Sequence, residues 1–438
     1  MEASTKKSRK IKILVFVCIF LSILLLGVFI ISLVNSDISD EELGPSPFQI
    51  ASDHTDDNNF EYQEFIKIGK DIVGTNEFHK KYEVDTKDPQ KEIQSLQDYV
   101  EKNKIVFERL KPELFEKLKY PRFKSNEKDY FENNVHIGTT LRLLQYRFRL
   151  QILLNNFDEC KKNLIVLHKI NSELLTKGSL LIDFYILFAA HSIELNNMKR
   201  MINLGTLTEM QKLEILSIYQ NEIPMQILTN AYHFEIDFIH EGSKSSNIKA
   251  ILPPKSIEDL NYLPIIYSIQ YQKNKSIKML RSNALNILKQ METPDHKTYT
   301  YLNTYSSSHH NPLEFFKGNY EGKKTIESHE PMLKSFALKL LASNQNIRQI
   351  IVAQKLLTFK IENGDFPDTL EELKIDSNLY TDIYTDKPFL YSKENGILHC
   401  VEAKKTNKFP ELTTKPLTHL EIQEKLHEAK NDFILYLK

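Results

Sequence analysis

Glycine is scarce in this sequence: 12 residues in 438, where about 7% is usual. Phosphate-cradling loops and tight hairpins need glycine, because only glycine takes positive φ freely and lets another backbone approach closely. The sequence has no GxGxxG and no GxxxxGK[ST], so a nucleotide-binding α/β enzyme is disfavoured. The HExxH metal motif, the EF-hand calcium loop and the GxSxG nucleophile elbow are absent too. An excess of charge of either sign is also lacking. The 57 basic and 58 acidic residues leave a formal charge of −1, which exerts no global pull on nucleic acid. Pairs such as Lys161-Lys162 and Lys323-Lys324 read as solvated faces. Of the three cysteines, Cys18 lies in an apolar run, and Cys160 with Cys400 allow at most one bridge. Two buried thiols are the plainer reading.

Apolar residues are plentiful, at 41%, enough for a real core. Residues 13–34 form 22 consecutive uncharged positions. At 1.5 Å per residue they make about 33 Å of helix, the thickness of a hydrocarbon core. Lys6, Lys7, Arg9, Lys10 and Lys12 precede this run, and Asp37, Asp40, Glu41 and Glu42 follow it. Positive charge stays on the cytoplasmic side, so residues 1–12 are expected inside and the bulk of the chain outside. A cleaved signal peptide is the competing reading, but its apolar core spans only about 7–15 residues. The lipid bilayer is thus the first expected partner, through residues 13–34.

Residues 35–60 read as a spacer, with Gly44-Pro45-Ser46-Pro47 and the polar stretch Asp53 to Asn59. Residues 61–305 carry helical spacing. Leu141, Leu144, Phe148, Ile152 and Leu153 mark one helix face, Asn155 to Asp158 interrupt it, and Cys160, Leu164, Leu167 and Ile170 resume it. An antiparallel helical hairpin follows, its second helix capped by Asn156 or Asp158. Further helices are expected at 179–198, at 207–221 with Thr208 as cap, and at 276–291. The hairpin is similar to a tetratricopeptide unit, without a recurrence every 34 residues or so. A polar linker at 306–329 precedes a module at 330–403. In it a long helix opens at Pro331 and stops at Asn363-Gly364. A short helix is boxed by Thr369 and Glu372. Strands at 388–391 and 397–401 join through Glu394-Asn395-Gly396. Residues 404–438 end in an amphipathic helix, with Thr418 and Glu421 at its start. The expected fold is therefore mostly α, with repeat-like hairpins and a small C-terminal α+β module carrying a β-hairpin.

Two resemblances bear on this layout. The long helix, Asn363-Gly364-Asp365-Phe366-Pro367, and Thr385-Asp386-Lys387-Pro388-Phe389-Leu390-Tyr391 resemble the soluble module of the type II secretion major pseudopilin. The match covers about residues 350–401. That family starts its long helix at the membrane and often has glycine where this chain has Asp386. The segment therefore reads as a borrowed module and not as a pilus subunit. Over 60–401, Asn103 and Leu110, Tyr120-Pro121-Arg122-Phe123, the Leu141–Asn171 hairpin and Asn311-Pro312 resemble an uncharacterised family of single-pass, mostly helical bacterial proteins. The resemblance implies a bacterial envelope setting and brings no activity. In the pseudopilin, carboxylates near this place bind calcium, so Asp382, Asp386 and Glu394 carry that expectation here.

The remaining candidate chemistry is local. His233, Glu235 and Asp237 share one face if 233–241 is a strand; His233, Asp237 and Glu241 fall at i, i+4 and i+8 if it is a helix, with His240 beside them. Neither pattern is a strong ligand set, and metal binding is left open. His309-His310 after Ser306-Ser307-Ser308 reads as a polar loop. Tyr120 to Phe123 reads as a turn, with Arg122 a ligand-binding alternative. No catalytic residue and no cofactor is assigned. The leading expectation is a membrane-anchored, non-enzymatic interaction protein of the bacterial envelope with a protein partner and no nucleic acid. An accessory of a type II secretion or pilus-like system is the second reading, and an envelope hydrolase with an unrecognised site is the third.

Overall fold

The computed structural model describes residues 39–44, 46, 60–75, 77, 78, 80, 88–110, 114, 117, 130–177, 181–203, 205–244, 273–304, 320–399 and 434–438. The anchor expected at 13–34 lies outside them, as do Cys18, Cys400, Arg122, His309 and His310. Among the described residues no helix is long and apolar enough to cross a membrane. The chain is mostly helical, as expected, with short antiparallel strands near its C-terminal end. It groups into two units: residues 1–47, 236–285 and 305–332, and residues 48–235, 286–304 and 333–438.

The larger unit is built on helices α2 (Phe60–Lys70), α3 (Pro89–Lys102), α5 (Tyr130–Leu153), α6 (Phe157–Lys177) and α7 (Leu181–Asn203); α1 and α4 are Asp40–Leu43 and Lys104–Arg109. α5 is the hub, packing against α2, α3, α6 and α7. Its expected face is buried at Leu141, Leu144, Phe148 and Ile152. Leu143 and Leu150 are buried too, because a helix with neighbours on several sides has more than one apolar stripe. The turn after α5 has Asn155 at φ 53°, and Asn156 caps α6 by accepting from the Glu159 N–H at 3.3 Å. α7 packs on both arms of the hairpin.

α8 (Glu209–Leu216) opens with the Thr208–Gln211 capping box. α9 (Gln226–Lys244), α10 (Lys273–Met291), α11 (His296–Asn303) and α12 (Tyr320–Asn363) follow. α12 does not open at Pro331. It begins at Tyr320 and holds Pro331 in its interior, where the ring removes one main-chain donor without ending the helix. The Thr369–Glu372 box starts a 3-10 turn, Leu370–Leu373. β1 (Thr381–Asp382) pairs with β2 (Lys387–Pro388), and β3 (Leu390–Ser392), β4 (Ile397–His399) and β5 (Ile434–Tyr436) form an antiparallel sheet in that order.

β5 corrects an expectation. A helix was expected through residue 438, yet Ile434–Tyr436 is a strand buried at all three positions. Pairing with β4 supplies its hydrogen bonds and burial, which override local periodicity. Its other edge is closed by side chains. Asn203 Nδ2 donates to the Ile434 carbonyl at 2.9 Å and Asn203 Oδ1 accepts from the Tyr436 N–H at 2.8 Å. Lys212 Nζ donates to the main-chain oxygens of Tyr436 and Lys438 at 3.3 and 2.6 Å. An asparagine amide thus takes the place of a neighbouring strand along β5. Burial, with the Lys360 charge added, pulls the Lys212 ammonium down to about 8.

In the smaller unit, Ser39 and Glu42 box α1. Ile277, Leu280 and Ala284 of α10 are fully buried. Arg281, from the same helix, donates to the Gly44 carbonyl at 2.9 Å.

The α2–α5 crossing depends on one glycine. A Cβ at Gly69 would stand 2.5 Å from the His136 carbonyl oxygen, whereas one at Gly138 would meet only Ile186 Cγ2 at 3.6 Å. Gly69→Ala therefore forces backbone apart and destabilises by about 1–3 kcal/mol. Gly138→Ala stabilises by about 0.5–1 kcal/mol through helix propensity. Urea unfolding of the two variants checks the opposite signs.

Candidate functional site

The interior of the larger unit contains a fully buried carboxylate. Glu194 lies on α7, one turn after His191, and both are withdrawn from solvent. α6 presents His168, Asn171 and Ser172 toward them, at the i, i+3 and i+4 spacing of one helix face. The loop after α8 adds Tyr219, buried and 4.5 Å in ring-centroid distance from His168. Glu194 Oε1 accepts from His168 Nδ1 at 3.0 Å and from the Tyr219 hydroxyl. Glu194 Oε2 accepts from Asn171 Nδ2. His191 Nδ1 stands 3.7 Å from Oε2, too far for a hydrogen bond but close enough for electrostatic attraction.

Removing a carboxylate from water costs several kcal/mol unless donors replace the lost hydration. Here the donors prevail. Burial by itself raises the Glu194 carboxyl; the hydrogen bond from His168 and the neighbouring His191 imidazole outweigh it and hold the group below the usual carboxylate range. Burial, and then the Glu194 charge, push the Tyr219 hydroxyl well above its ordinary value, so it stays a donor. The carboxylate also selects a tautomer. With the proton on His168 Nδ1, its Nε2 is an acceptor, and Ser172 Oγ lies 3.4 Å from it.

α12 holds the loop over this cluster. Gln354 Nε2 donates to the carbonyls of Leu216 and Tyr219 at 2.5 and 2.7 Å. Asn344 brackets Ile223, accepting from its N–H at 2.8 Å and donating to its carbonyl at 3.0 Å. Arg348 forks onto Glu222 at 2.8 and 3.1 Å.

His168, Ser172 and His191 line a cavity of about 330 Å³, opposite Leu175, Ile227 and Ile347. His191 is 2% exposed, and among the described residues neither of its ring nitrogens has a hydrogen-bond partner. A buried polar atom without a partner costs about 1–3 kcal/mol, so this ring is held at the cavity wall at an energetic disadvantage.

The residues singled out in the sequence sit elsewhere. Residues 233–241 are helical, within α9; His233 is buried and His240 half-buried, and the Glu241 side chain lies outside the described residues. Asp382 turns inward to accept from the Tyr384 N–H at 2.7 Å, Asp386 accepts from the His296 N–H at 2.9 Å, and Glu394 is exposed. Among the described residues no group of three His, Cys, Asp or Glu is placed to hold a metal ion. Cys160 is free and buried, and that burial pushes its thiol up to about 12. The sequence signal that was missed is His191-Ser192-Ile193-Glu194, a titratable pair one turn apart inside an apolar helix. The chain matches no family model, no curated protein and no solved structure.

Glu194→Gln places an amide donor among donors and is expected to destabilise the chain by about 3 kcal/mol at neutral pH. A carboxyl whose folded value is depressed contributes fully above its unfolded value and loses that contribution as pH falls through the folded one. The gap between wild type and Glu194→Gln should therefore narrow below about pH 4. Denaturant titrations at stepped pH read the gap; one that widens in acid contradicts the account.

Proposed function

We propose that the chain is a binding protein of the bacterial envelope, anchored by residues 13–34, that takes a small uncharged ligand in the cavity above Glu194. The observation that carries this reading is His191, buried at the cavity wall with no hydrogen bond to either ring nitrogen among the described residues. A ligand that hydrogen-bonds there removes the penalty. The rest of the wall narrows its chemistry. Among the described residues no lysine or arginine lines the cavity, and Glu222 is already engaged by Arg348, so the lining favours an uncharged ligand over an anion. Leu175, Ile218, Ile227 and Ile347 favour an aliphatic portion. The ligand class is a short aliphatic chain with one neutral polar group, such as an amide, alcohol or ester.

The wider interaction role expected from the sequence stays with this proposal. A protein partner is favoured by the surface groove of about 420 Å³ along α5 and α7, where Val135 and Ile193 are 64% and 40% exposed. An accessory role in a type II secretion or pilus-like machine is a second reading. In its favour is Asp386, which has φ 52° at the place where the pseudopilin pattern carries glycine.

Hexanamide is a suitable probe. It should raise the Tm of the full-length chain in detergent, by an amount that grows with its concentration. His191→Phe replaces the unpaired nitrogens with an apolar ring of similar shape. That variant should no longer respond to hexanamide. An unresponsive wild type, or an undiminished response in His191→Phe, would count against the proposal.

A further inference from the structure

Ser172, His168 and Glu194 stand in line: Ser172 Oγ is 3.4 Å from His168 Nε2, and His168 Nδ1 is 3.0 Å from Glu194 Oε1. From this geometry we propose that the cavity hydrolyses short aliphatic esters, with Ser172 as nucleophile, His168 as general base and Glu194 as the positioning carboxylate. The inference rests on the binding reading above, because the ester must first occupy the same cavity.

Three features beyond the line itself support it. Ser172 and His168 are partly exposed while Glu194 is fully buried, so the reacting atoms face the cavity and the orienting charge is shielded from water. A triad is defined by such roles and distances, not by order in the chain, and the nucleophile–base contact is commonly loose before substrate binds. Glu194 is fixed in turn by Tyr219 and Asn171, which prevents the imidazole from turning with it. The carboxamides of Gln220 and Asn221 line the same cavity and are the neutral donors on hand for an oxyanion.

The step balances without a co-reactant other than water. Ser172 Oγ bonds to the ester carbonyl carbon, and its proton passes to His168 Nε2. The carbon–oxygen bond to the alcohol breaks, and the alcohol leaves with that proton. Water then attacks the acyl-serine, giving a proton to His168. The carboxylic acid departs as the proton returns to Ser172.

The full-length chain in detergent would be treated with an alkyl fluorophosphonate and digested for mass spectrometry, and its turnover of p-nitrophenyl butyrate would be followed. An adduct on Ser172 is expected, formed by the folded chain and not by the heat-unfolded one. Ser172→Ala should lose the adduct and the turnover while keeping its Tm. His168→Gln keeps a donor toward Glu194, and its turnover should fall about 10²–10⁴-fold. Wild-type turnover should rise with pH through one ionisation, a dependence that His168→Gln lacks; a merely structural His168 would leave that profile unchanged. No adduct, or an adduct on another serine, in a chain whose Tm still rises with hexanamide overturns the hydrolysis and leaves the binding proposal standing. No adduct and no response to hexanamide overturns both.

Discussion

The Glu194 carboxylate is the constraint around which the larger unit is arranged. A fully buried charge must gather donors from wherever the chain can bring them, and here they come from two places, His168 and Asn171 of α6 and Tyr219 of the loop after α8, while the His191 ring of α7 adds electrostatic attraction from 3.7 Å. That demand fixes the rotation of α6 against α7, since only one face of each helix carries the partners. It also fixes the loop. Tyr219 reaches the carboxylate because α8 ends at Leu216 and Gln354 of α12 holds the carbonyls on either side of the turn. A network of this kind is stable only when its members are satisfied; among the described residues Asn171 Oδ1 and both nitrogens of His191 lack a hydrogen bond, and of these His191 lies at the cavity wall.

A second device recurs at the joints. Asn103 accepts from the Val73 N–H at 2.9 Å and donates to its carbonyl at 3.2 Å. Asn344 does the same to Ile223, and Asn203 does so across Ile434 and Tyr436. Each amide pairs with main chain that has left its helix or lies at a sheet edge, where donors and acceptors would otherwise be buried unmet. Helices bury their own main-chain groups, so a helical protein needs such brackets only where the chain turns or a strand intrudes. Arginine forks reinforce two of these places: Arg109 on Glu64 and Asp71, and Arg348 on Glu222.

How much of this was legible follows from the range of each interaction. The α5–α6 hairpin, the Asn156 cap, the Thr208 and Thr369 boxes and the strand pair around Gly396 are set by residues within a few positions of one another, and the sequence displays them. β5 was hidden because its partner strand lies more than thirty residues earlier and its three residues fit a helical pattern equally well. The start of α12 was misplaced because proline is a good first-turn residue, and the turns on both sides carry it here as an interior one. The candidate site was invisible to motif reading. His168, Asn171 and Tyr219 stand 26, 23 and 25 residues from Glu194, each on a different turn or element. Residues 233–241 are dense in metal-capable side chains in sequence, yet among the described residues no group of three is assembled in space.

The central claim is that an ionised Glu194 holds His168 in the Nδ1–H form, with Nε2 free to accept. Nitrogen-15 NMR of histidine-labelled chain at neutral pH, with His168 assigned by its disappearance in His168→Gln, measures the tautomer directly. The account predicts a protonated Nδ1 and an unprotonated Nε2 that becomes the common tautomer, Nε2–H, in Glu194→Gln. A wild-type His168 already in the Nε2–H form would mean that the carboxylate does not orient the ring, and the site as described would fall with it.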